Sequence, residues 1–452
     1  MMFHAGFRFK SEVHKRIIEA GLILLLIFST LAFGSVELWA YTAIELIVLL
    51  LVTFTVLRAI PIFKSSIPNP QSAIKYPITL ISIFVILIFL QTIPLPSEII
   101  RIISPKTYNL YTDLSLDSRS FMTISLYPYA TRIEILKLLS YIGIFMLTIS
   151  TINTKEQARR LIKVLIIFGF ILSLFGIIQK ATWNGKIFWF RELSMGGDPF
   201  GPFVNRNHFA GYVGMIIPLG LGYLFTINKR DKQIVYGFMV MIVSLALFYS
   251  ASRAGVATFL AGLALFAVFM LFKRFKNKGL WAIATFGICL SIYLIYLGII
   301  DPVLERFIKT DISSEQRFLV WKGTWDGFID FVTFGSGLGT FQYVFPMYKA
   351  RGITSFYDHA HNDYLEFFLE TGIGGVLFLI LSIQYLISNL LRGKDNYYIM
   401  AGLMTSIFVM LLHSILDFNL HIPSNAVLFS LIAGLYVCPE NRQGLKGGIH
   451  NS

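Results

Sequence analysis

Long apolar runs separated by short polar segments make up most of the chain. An α-helix needs about 20 apolar residues to cross the roughly 30 Å hydrocarbon core of a membrane, and about twelve runs suit that length. Apolar and polar residues do not alternate as they do in membrane-spanning β-strands, so the runs predict helices. These predicted helices lie at 16–34, 39–59, 76–94, 133–150, 161–179, 208–227, 234–250, 254–272, 279–300, 370–391, 397–413 and 424–438.

The composition agrees with this pattern. Hydrophobic residues make up 56% of the 452 residues, charged residues make up only 14%, and the mean hydropathy is +0.69. Soluble domains average about 45–50% apolar residues. Because we find no internal repeat, low-complexity tract or soluble domain, residues 1–452 are predicted to form one all-α polytopic membrane protein.

Basic residues predict the orientation of the helices. Lys and Arg are concentrated at the N-terminus, in alternate loops such as "NKRDK" and "KRFKNK", and in the C-terminal tail. Such residues favour the cytoplasmic side, so both termini are expected there. The first apolar run lacks a signal-peptide cleavage pattern and is expected to be retained. The +13 net charge then reflects topology and attraction to membrane lipids, and it needs no nucleic-acid partner.

Most of the polar chemistry is expected on the opposite, outer side. Three long polar segments lie there, at 95–132, 180–207 and 301–369, and the last is the largest. Arg317 begins an apolar-rich stretch of this last segment, "RFLVWKG", whose spacing suits an amphipathic helix on the membrane surface. A solvated charge on such a helix is the plainer interpretation of Arg317.

Two further arginines stand at the starts of predicted spans. Arg253 lies in "YSASRAG", where an interfacial anchor is the plain alternative. That alternative is weakened because the positive-inside bias disfavours arginine on this side, and because the small neighbours let another group approach. Arg206 lies in "NRNHFAG", at a helix entrance that favours anions, although polar helix entrances are common.

The densest polar stretch is "HAHNDYLEFFLETGIGG", from His359 to Gly375. His361 and Asn362 are followed by nine residues and then by Gly372-x-x-Gly375, a glycine pair that predicts close helix packing. One alternative is that the histidines only cap a helix. Another is a zinc site made with the nearby carboxylates, but a His-x-x-x-His pattern is missing. We therefore predict no metal site.

These residues together resemble the O-antigen ligase and O-antigen polymerase superfamily. The resemblance rests on the His-Asn-nine-Gly-x-x-Gly spacing, on Arg253 in "SRAG", and on Arg317 four residues before Trp321. The segments "GPFVNRNHFAG", "GSGLGTF" and "HSILDFNLHIP" are also similar, so the resemblance covers about residues 90–435. It implies a GT-C-like fold of about twelve helices with a large periplasmic loop that contains amphipathic helices.

The resemblance implies a glycosyltransferase of the bacterial inner membrane with a periplasmic active site. Such enzymes move a glycan from undecaprenyl-diphosphate to an acceptor hydroxyl, without cofactor or divalent metal. By this analogy Arg253 and Arg317 hold the diphosphate, since arginine binds phosphate bidentately, and His361 is the base. The residues expected to support substrate binding are Arg206, Asn362, Asp417 and His359.

The acceptor and the protein class leave alternatives open. A glycan acceptor implies a polymerase, a lipid A-core acceptor implies a ligase, and a protein acceptor implies an O-oligosaccharyltransferase; the strict spacing favours a ligase. A polytopic transporter is the rival class, but its ionisable residues are expected near the bilayer midplane. A noncatalytic glycan-binding protein would not need two arginines and a base at one interface.

Overall fold

The structure is a computed structural model, and it describes residues 2–59, 72–114, 120–193, 196–272, single positions and short groups between 286 and 298, 312–351, 353, 355–390 and 397–438. We number the helices along the described chain. They are α1 Met2–Leu31, α2 Leu38–Ala59, α3 Ser72–Leu90, α4 Ser97–Ile103, α5 Pro105–Leu114, α6 Pro128–Thr151, α7 Lys155–Ala181, α8 Arg206–Leu224, α9 Arg230–Tyr249, α10 Arg253–Phe272, α11 Ile312–Asp330, α12 Phe341–Val344, α13 Asp363–Leu390, α14 Tyr397–His413 and α15 Pro423–Val437.

The apolar helices pack into one all-α membrane bundle. Six described helices are long and apolar enough to cross a membrane, namely α2, α6, α7, α9, α10 and α13, and three shorter apolar helices accompany them. In the main core α8 packs against α14, α9 and α7, while α15 packs against α6. Helices are present at eleven of the twelve predicted runs. The remaining run, 279–300, lies largely outside the described residues.

A smaller layer sits on one end of this bundle. It contains the short helices α4 and α5, a two-stranded antiparallel sheet formed by β1 (Leu95–Pro96) and β2 (Phe121–Met122), and α11 and α12. A second apolar core joins α11 and α12 to the start of α13. The helix predicted around Arg317 is therefore present as α11. It buries Val320 and Phe328, while Phe318 and Trp325 stay exposed.

The Gly372-x-x-Gly375 pair does not pack two helices together, contrary to the sequence prediction. Gly372 is a kink inside α13, with φ 62° and ψ −154°. A side chain there would lie 2.6 Å from Gly335 N and 2.7 Å from Val332 O. Gly375 instead faces side chains of its own helix, Thr371 and Phe367. The first glycine thus lets the 332–335 turn reach the α13 backbone, where the Ile373 N–H donates to Val332 O at 2.7 Å.

Replacing Gly372 with alanine is expected to lower the thermal stability of the protein. A non-glycine residue in this conformation costs about 1–3 kcal/mol, and the added methyl group meets backbone that cannot move aside easily. The measurement is the unfolding temperature in detergent or nanodiscs. Gly237→Ala is the matched control, because Gly237 is an α9 position with nothing within 4 Å. Equal stability of Gly372→Ala and wild type would contradict the close approach.

Candidate active site

Three helices begin at the same end of the bundle, below the smaller layer. α8 begins at Arg206, α10 at Arg253 and α13 at Asp363. In each case the residue just before the helix caps its first turn with a side-chain oxygen. The capping residues are Asn205, Ser252 and Asn362. Because helix N-termini carry partial positive charge and unpaired N–H groups, they favour bound anions.

A chain of side-chain hydrogen bonds joins two of these helix starts to His361. Ser252 Oγ donates to Asn207 Oδ1 at 2.7 Å, and Asn207 Nδ2 donates to Asp417 Oδ2 at 2.8 Å. The other carboxylate oxygen, Oδ1, lies 3.0 Å from His361 Nδ1. The structure therefore brings His361 and Asp417 together, and Asn207 links them to Ser252, the residue that precedes Arg253.

The buried Asp417 carboxylate sets the proton positions on His361. Burial alone would raise the pKa of Asp417, but the hydrogen bond from His361 and the nearby His208 and His413 lower that pKa well below its ordinary value. A carboxylate at Nδ1 holds the proton there, which leaves Nε2 as an acceptor. Since the His361 side chain is 21% exposed, Nε2 can take a proton from a bound group.

Backbone strain is found at two turns of this site. His361 and Ala251 have φ values of 52° and 53°, in the left-handed region. A non-glycine residue in this region costs of order 1–3 kcal/mol, and such residues cluster at active sites. One of these turns carries His361, and the other leads directly into Arg253. Both strained residues thus occur where a helix start presents a predicted site residue.

A second group of histidines and carboxylates lies beside the first. His421 Nδ1 is 2.7 Å from Asp363 Oδ1, and His359 Nδ1 is 2.7 Å from Glu366 Oε1. Burial alone would lower the pKa of each histidine, but the carboxylates raise it above the ordinary value. The Phe418 ring joins the two groups, with centroids 4.4 Å from His359 and 4.9 Å from His361.

Residues close to Arg317 in α11 contact the loop that carries His361. Trp321 Nε1 donates to Ala360 O at 3.1 Å, next to His361. One residue before Arg317, Gln316 accepts a hydrogen bond from the Tyr357 hydroxyl at 3.3 Å. The Tyr357 ring lies 6.3 Å from the His361 ring, edge-on. The start of α11 therefore packs on the loop that carries His361, and Arg317 is partly exposed there.

Two other predicted residues have structural partners. Arg206 forms an ion pair with Asp198, and its backbone N–H donates to Asp198 O at 2.7 Å. Asn362 Oδ1 accepts from the Tyr364 and Leu365 N–H groups at 3.1 and 3.2 Å. These contacts hold the starts of α8 and α13 in place, and a substrate-binding role for either residue stays a prediction.

His359, Glu366 and His421 form a group of potential metal ligands. One ligand atom from each lies within 4.8 Å of the others. His421, which belongs to a distant segment, was not part of the zinc set considered from the sequence. Metals bind deprotonated ligands, whereas the carboxylates that neighbour these histidines raise their pKa values. In the structure His359 is paired with Glu366 and His421 with Asp363, so a cation at this group would have to displace protons that these pairs favour.

Sequence reasoning missed several members of the site. Asn207 and Ser252 complete the hydrogen-bond chain, and His421 completes the second group. A local signal was available for all three, since each lies in or beside a quoted polar segment at a helix start. Their pairing has no sequence signal, because Asn207 and Asp417 stand 210 residues apart.

The fold and the site define an all-α, multi-pass membrane protein whose histidine and carboxylate side chains meet beside helix starts. Residues 238–380 match the family described as O-Antigen ligase. This match confirms the resemblance seen in the sequence and supports membership of that family of glycan ligases and polymerases. It includes Arg253, Arg317 and His361, while Arg206 and Asp417 lie outside it. No curated protein matches the chain.

Proposed function

We propose that the protein transfers a glycan from undecaprenyl-diphosphate to an acceptor hydroxyl. The observation that carries this proposal is the His361–Asp417 pair, because it leaves Nε2 as a hydrogen-bond acceptor and is joined through Asn207 and Ser252 to the helix start that bears Arg253. A base and an anion site at one place are what this transfer requires. As part of the same proposal, the protein resides in the bacterial inner membrane and its active site lies on the periplasmic face.

In the proposed reaction the acceptor oxygen attacks the anomeric carbon of the donor glycan. His361 Nε2 takes the hydroxyl proton, while the bond between the anomeric carbon and the phosphate oxygen breaks. The electron pair of that bond leaves with the diphosphate, whose charge Arg253 and Arg317 neutralise. Asp417 then stabilises the imidazolium, as an acidic partner does in other histidine dyads.

We propose an O-antigen ligase-type reaction, with polymerisation and protein glycosylation as the other uses of the same donor chemistry. Gene deletion followed by analysis of the surface glycan separates them. A lipid A-core without polymer, together with full-length chains still on the carrier, supports ligation. Single repeat units on the core identify a polymerase, and an unglycosylated protein with normal surface glycan identifies an O-oligosaccharyltransferase.

Glycan transfer is expected to continue in excess chelator. The arginines supply the positive charge that a divalent ion supplies elsewhere, and the His359, Glu366 and His421 group is already paired internally. The measurement is the transfer rate of purified protein before and after chelation, with the metal content determined in parallel. Loss of transfer that one particular divalent ion restores would show that this expectation is wrong.

A further inference from the structure

The His361–Asp417 contact joins two segments that are distant in the sequence. His361 lies just before α13, and Asp417 lies in the 414–422 loop, which connects α14 to α15. His361 has a left-handed backbone conformation, and a residue keeps such a conformation only when the surrounding structure holds it. The position of the base relative to its carboxylate therefore depends on contacts that fix the 414–422 loop against the start of α13.

Asp363, the first residue of α13, contacts this loop on both sides of Asp417. Its backbone N–H donates to Ser414 O at 2.9 Å, three residues before Asp417. Its carboxylate accepts a hydrogen bond from the Leu420 N–H at 3.0 Å and lies 2.7 Å from His421 Nδ1. Because these contacts are on either side of Asp417 in the chain, they fix the place of Asp417 beside the start of α13.

Glu366, in the first turn of α13, holds the residues that lead into His361. Its Oε1 lies 2.7 Å from His359 Nδ1, and its Oε2 accepts a hydrogen bond from the Ala360 N–H at 2.8 Å. The same Oε1 lies 3.4 Å from His421 Nε2. Glu366 therefore contacts both segments, namely the approach to His361 and the 414–422 loop.

His421 lies between the two carboxylates. Its Nδ1 faces Asp363, and its Nε2 faces Glu366. Burial alone would lower the pKa of His421, but the two carboxylates raise it to about 10, so the ring is a cation with a proton on each nitrogen at neutral pH. A buried carboxylate is costly unless it is paired, and this imidazolium pairs both of them across the two segments.

The two carboxylates are fully engaged within the protein. Both oxygens of Asp363 and both oxygens of Glu366 face protein nitrogen atoms at 2.7–3.0 Å, and both side chains are buried. Acidic residues are favoured in the first turn of a helix, but that preference does not require partners in another segment. These contacts therefore act on the relative position of the two segments. We call Asp363, Glu366 and His421 the clamp.

We propose that the clamp consists of positioning residues, which hold Asp417 at Nδ1 of His361 during glycan transfer. It acts through the His361 ring, whose direction sets the place of Nε2, and not through contact with a substrate. This inference rests on the proposed function, in which His361 is the base, and it adds the residues that keep the base in register with its carboxylate.

The kinetic test is a double-mutant cycle on glycan transfer by purified protein in nanodiscs, with an undecaprenyl-diphosphate glycan as donor and lipid A-core as acceptor. Asp363→Asn and Glu366→Gln keep the shape of each side chain and remove its charge. Each is measured alone and together with Asp417→Asn, and the readouts are kcat, the two KM values and the amount of folded protein. The matched control is Asp358→Asn, which removes an exposed carboxylate next to His359.

Each clamp variant is expected to lower kcat about 10–100-fold, since a small displacement of a catalytic group has an effect of this size. The KM values should stay within about threefold, because binding contacts remain. In the Asp417→Asn background the same changes should lower kcat by less than about threefold, because the contact that the clamp maintains is already lost. Asp358→Asn should keep the wild-type kcat.

Three results would overturn the inference. The first is a wild-type kcat in both clamp variants. The second is an equal loss of kcat with and without Asp417→Asn. The third is a failure of both clamp variants to fold, since that would identify a role in the fold and not in positioning the base.

A spectroscopic test does not depend on turnover. In the NMR spectrum of protein with isotope-labelled histidine, the Nδ1–H of His361 gives a signal that His361→Ala removes. The clamp variants should move this signal toward its position in Asp417→Asn, whereas Asp358→Asn should leave it unchanged. An unmoved signal in both clamp variants would contradict the clamp. If the signal moves but His361→Ala transfers glycan at the wild-type rate, the clamp geometry stands and the proposed function is wrong.

Discussion

Replacing His361 with alanine is expected to lower the rate of glycan transfer by about 10²–10⁴-fold, the usual contribution of a general base. The buried Asp417 carboxylate holds the proton on Nδ1, so Nε2 is the atom that takes the acceptor proton. Donor affinity should change little, because Arg253 and Arg317 remain. The measurement is the transfer rate beside donor affinity, for purified protein in detergent or nanodiscs.

His359→Ala is the matched control for this prediction. His359 is two residues away and stacks on the same Phe418 ring, but its Nδ1 is paired with Glu366. We therefore expect a smaller loss of transfer. If His359→Ala abolishes transfer and His361→Ala does not, the base has been assigned to the wrong histidine. If neither change matters, the reaction does not use a histidine base.

Lysine in place of Arg253 or Arg317 is expected to reduce transfer by about 10–100-fold, which corresponds to the loss of one charge-assisted hydrogen bond. Lysine keeps the positive charge but cannot contact two phosphate oxygens through a planar fork. Protein abundance should stay the same, because both arginines are partly exposed. The measurement is the transfer rate at saturating donor, together with the amount of folded protein.

Lys322→Arg serves as the control for the arginine variants. Lys322 lies on α11 near Arg317 and is exposed, so the change alters the same helix without removing a guanidinium group. It should leave transfer at the wild-type rate. Wild-type transfer by both lysine variants, Arg253→Lys and Arg317→Lys, would show that the arginines do not bind the diphosphate bidentately.

The helices could be predicted from the sequence because their signal is local. Apolar runs of span length identify helices wherever the backbone must satisfy its own hydrogen bonds in lipid. Helix α11 was also predictable from the apolar spacing after Arg317, although it begins earlier, at Ile312. The kink at Gly372 was not predictable, because the same glycine pair occurs in a sequence whether it packs against another helix or lets a loop approach closely. Only the 332–335 turn, about forty residues earlier in the chain, decides between the two.

Individual residues of the candidate site could be predicted from the sequence, but the contacts between them could not. His361 and Arg253 stand out because polar residues at span starts are conspicuous in an apolar chain. The partner of His361 is Asp417, 56 residues later, and His421 pairs with Asp363 across 58 residues. These contacts depend on how α13 packs beside the segment between α14 and α15, which no local pattern encodes.

The most direct test is glycan transfer by purified protein in proteoliposomes, with a labelled glycan on undecaprenyl-diphosphate and a lipid-anchored acceptor. Wild type should move the label onto the acceptor and release an equal amount of undecaprenyl-diphosphate, and His361→Ala should do neither at a comparable rate. Label that crosses into the vesicles without a new glycosidic bond would identify a transporter and contradict the proposed function.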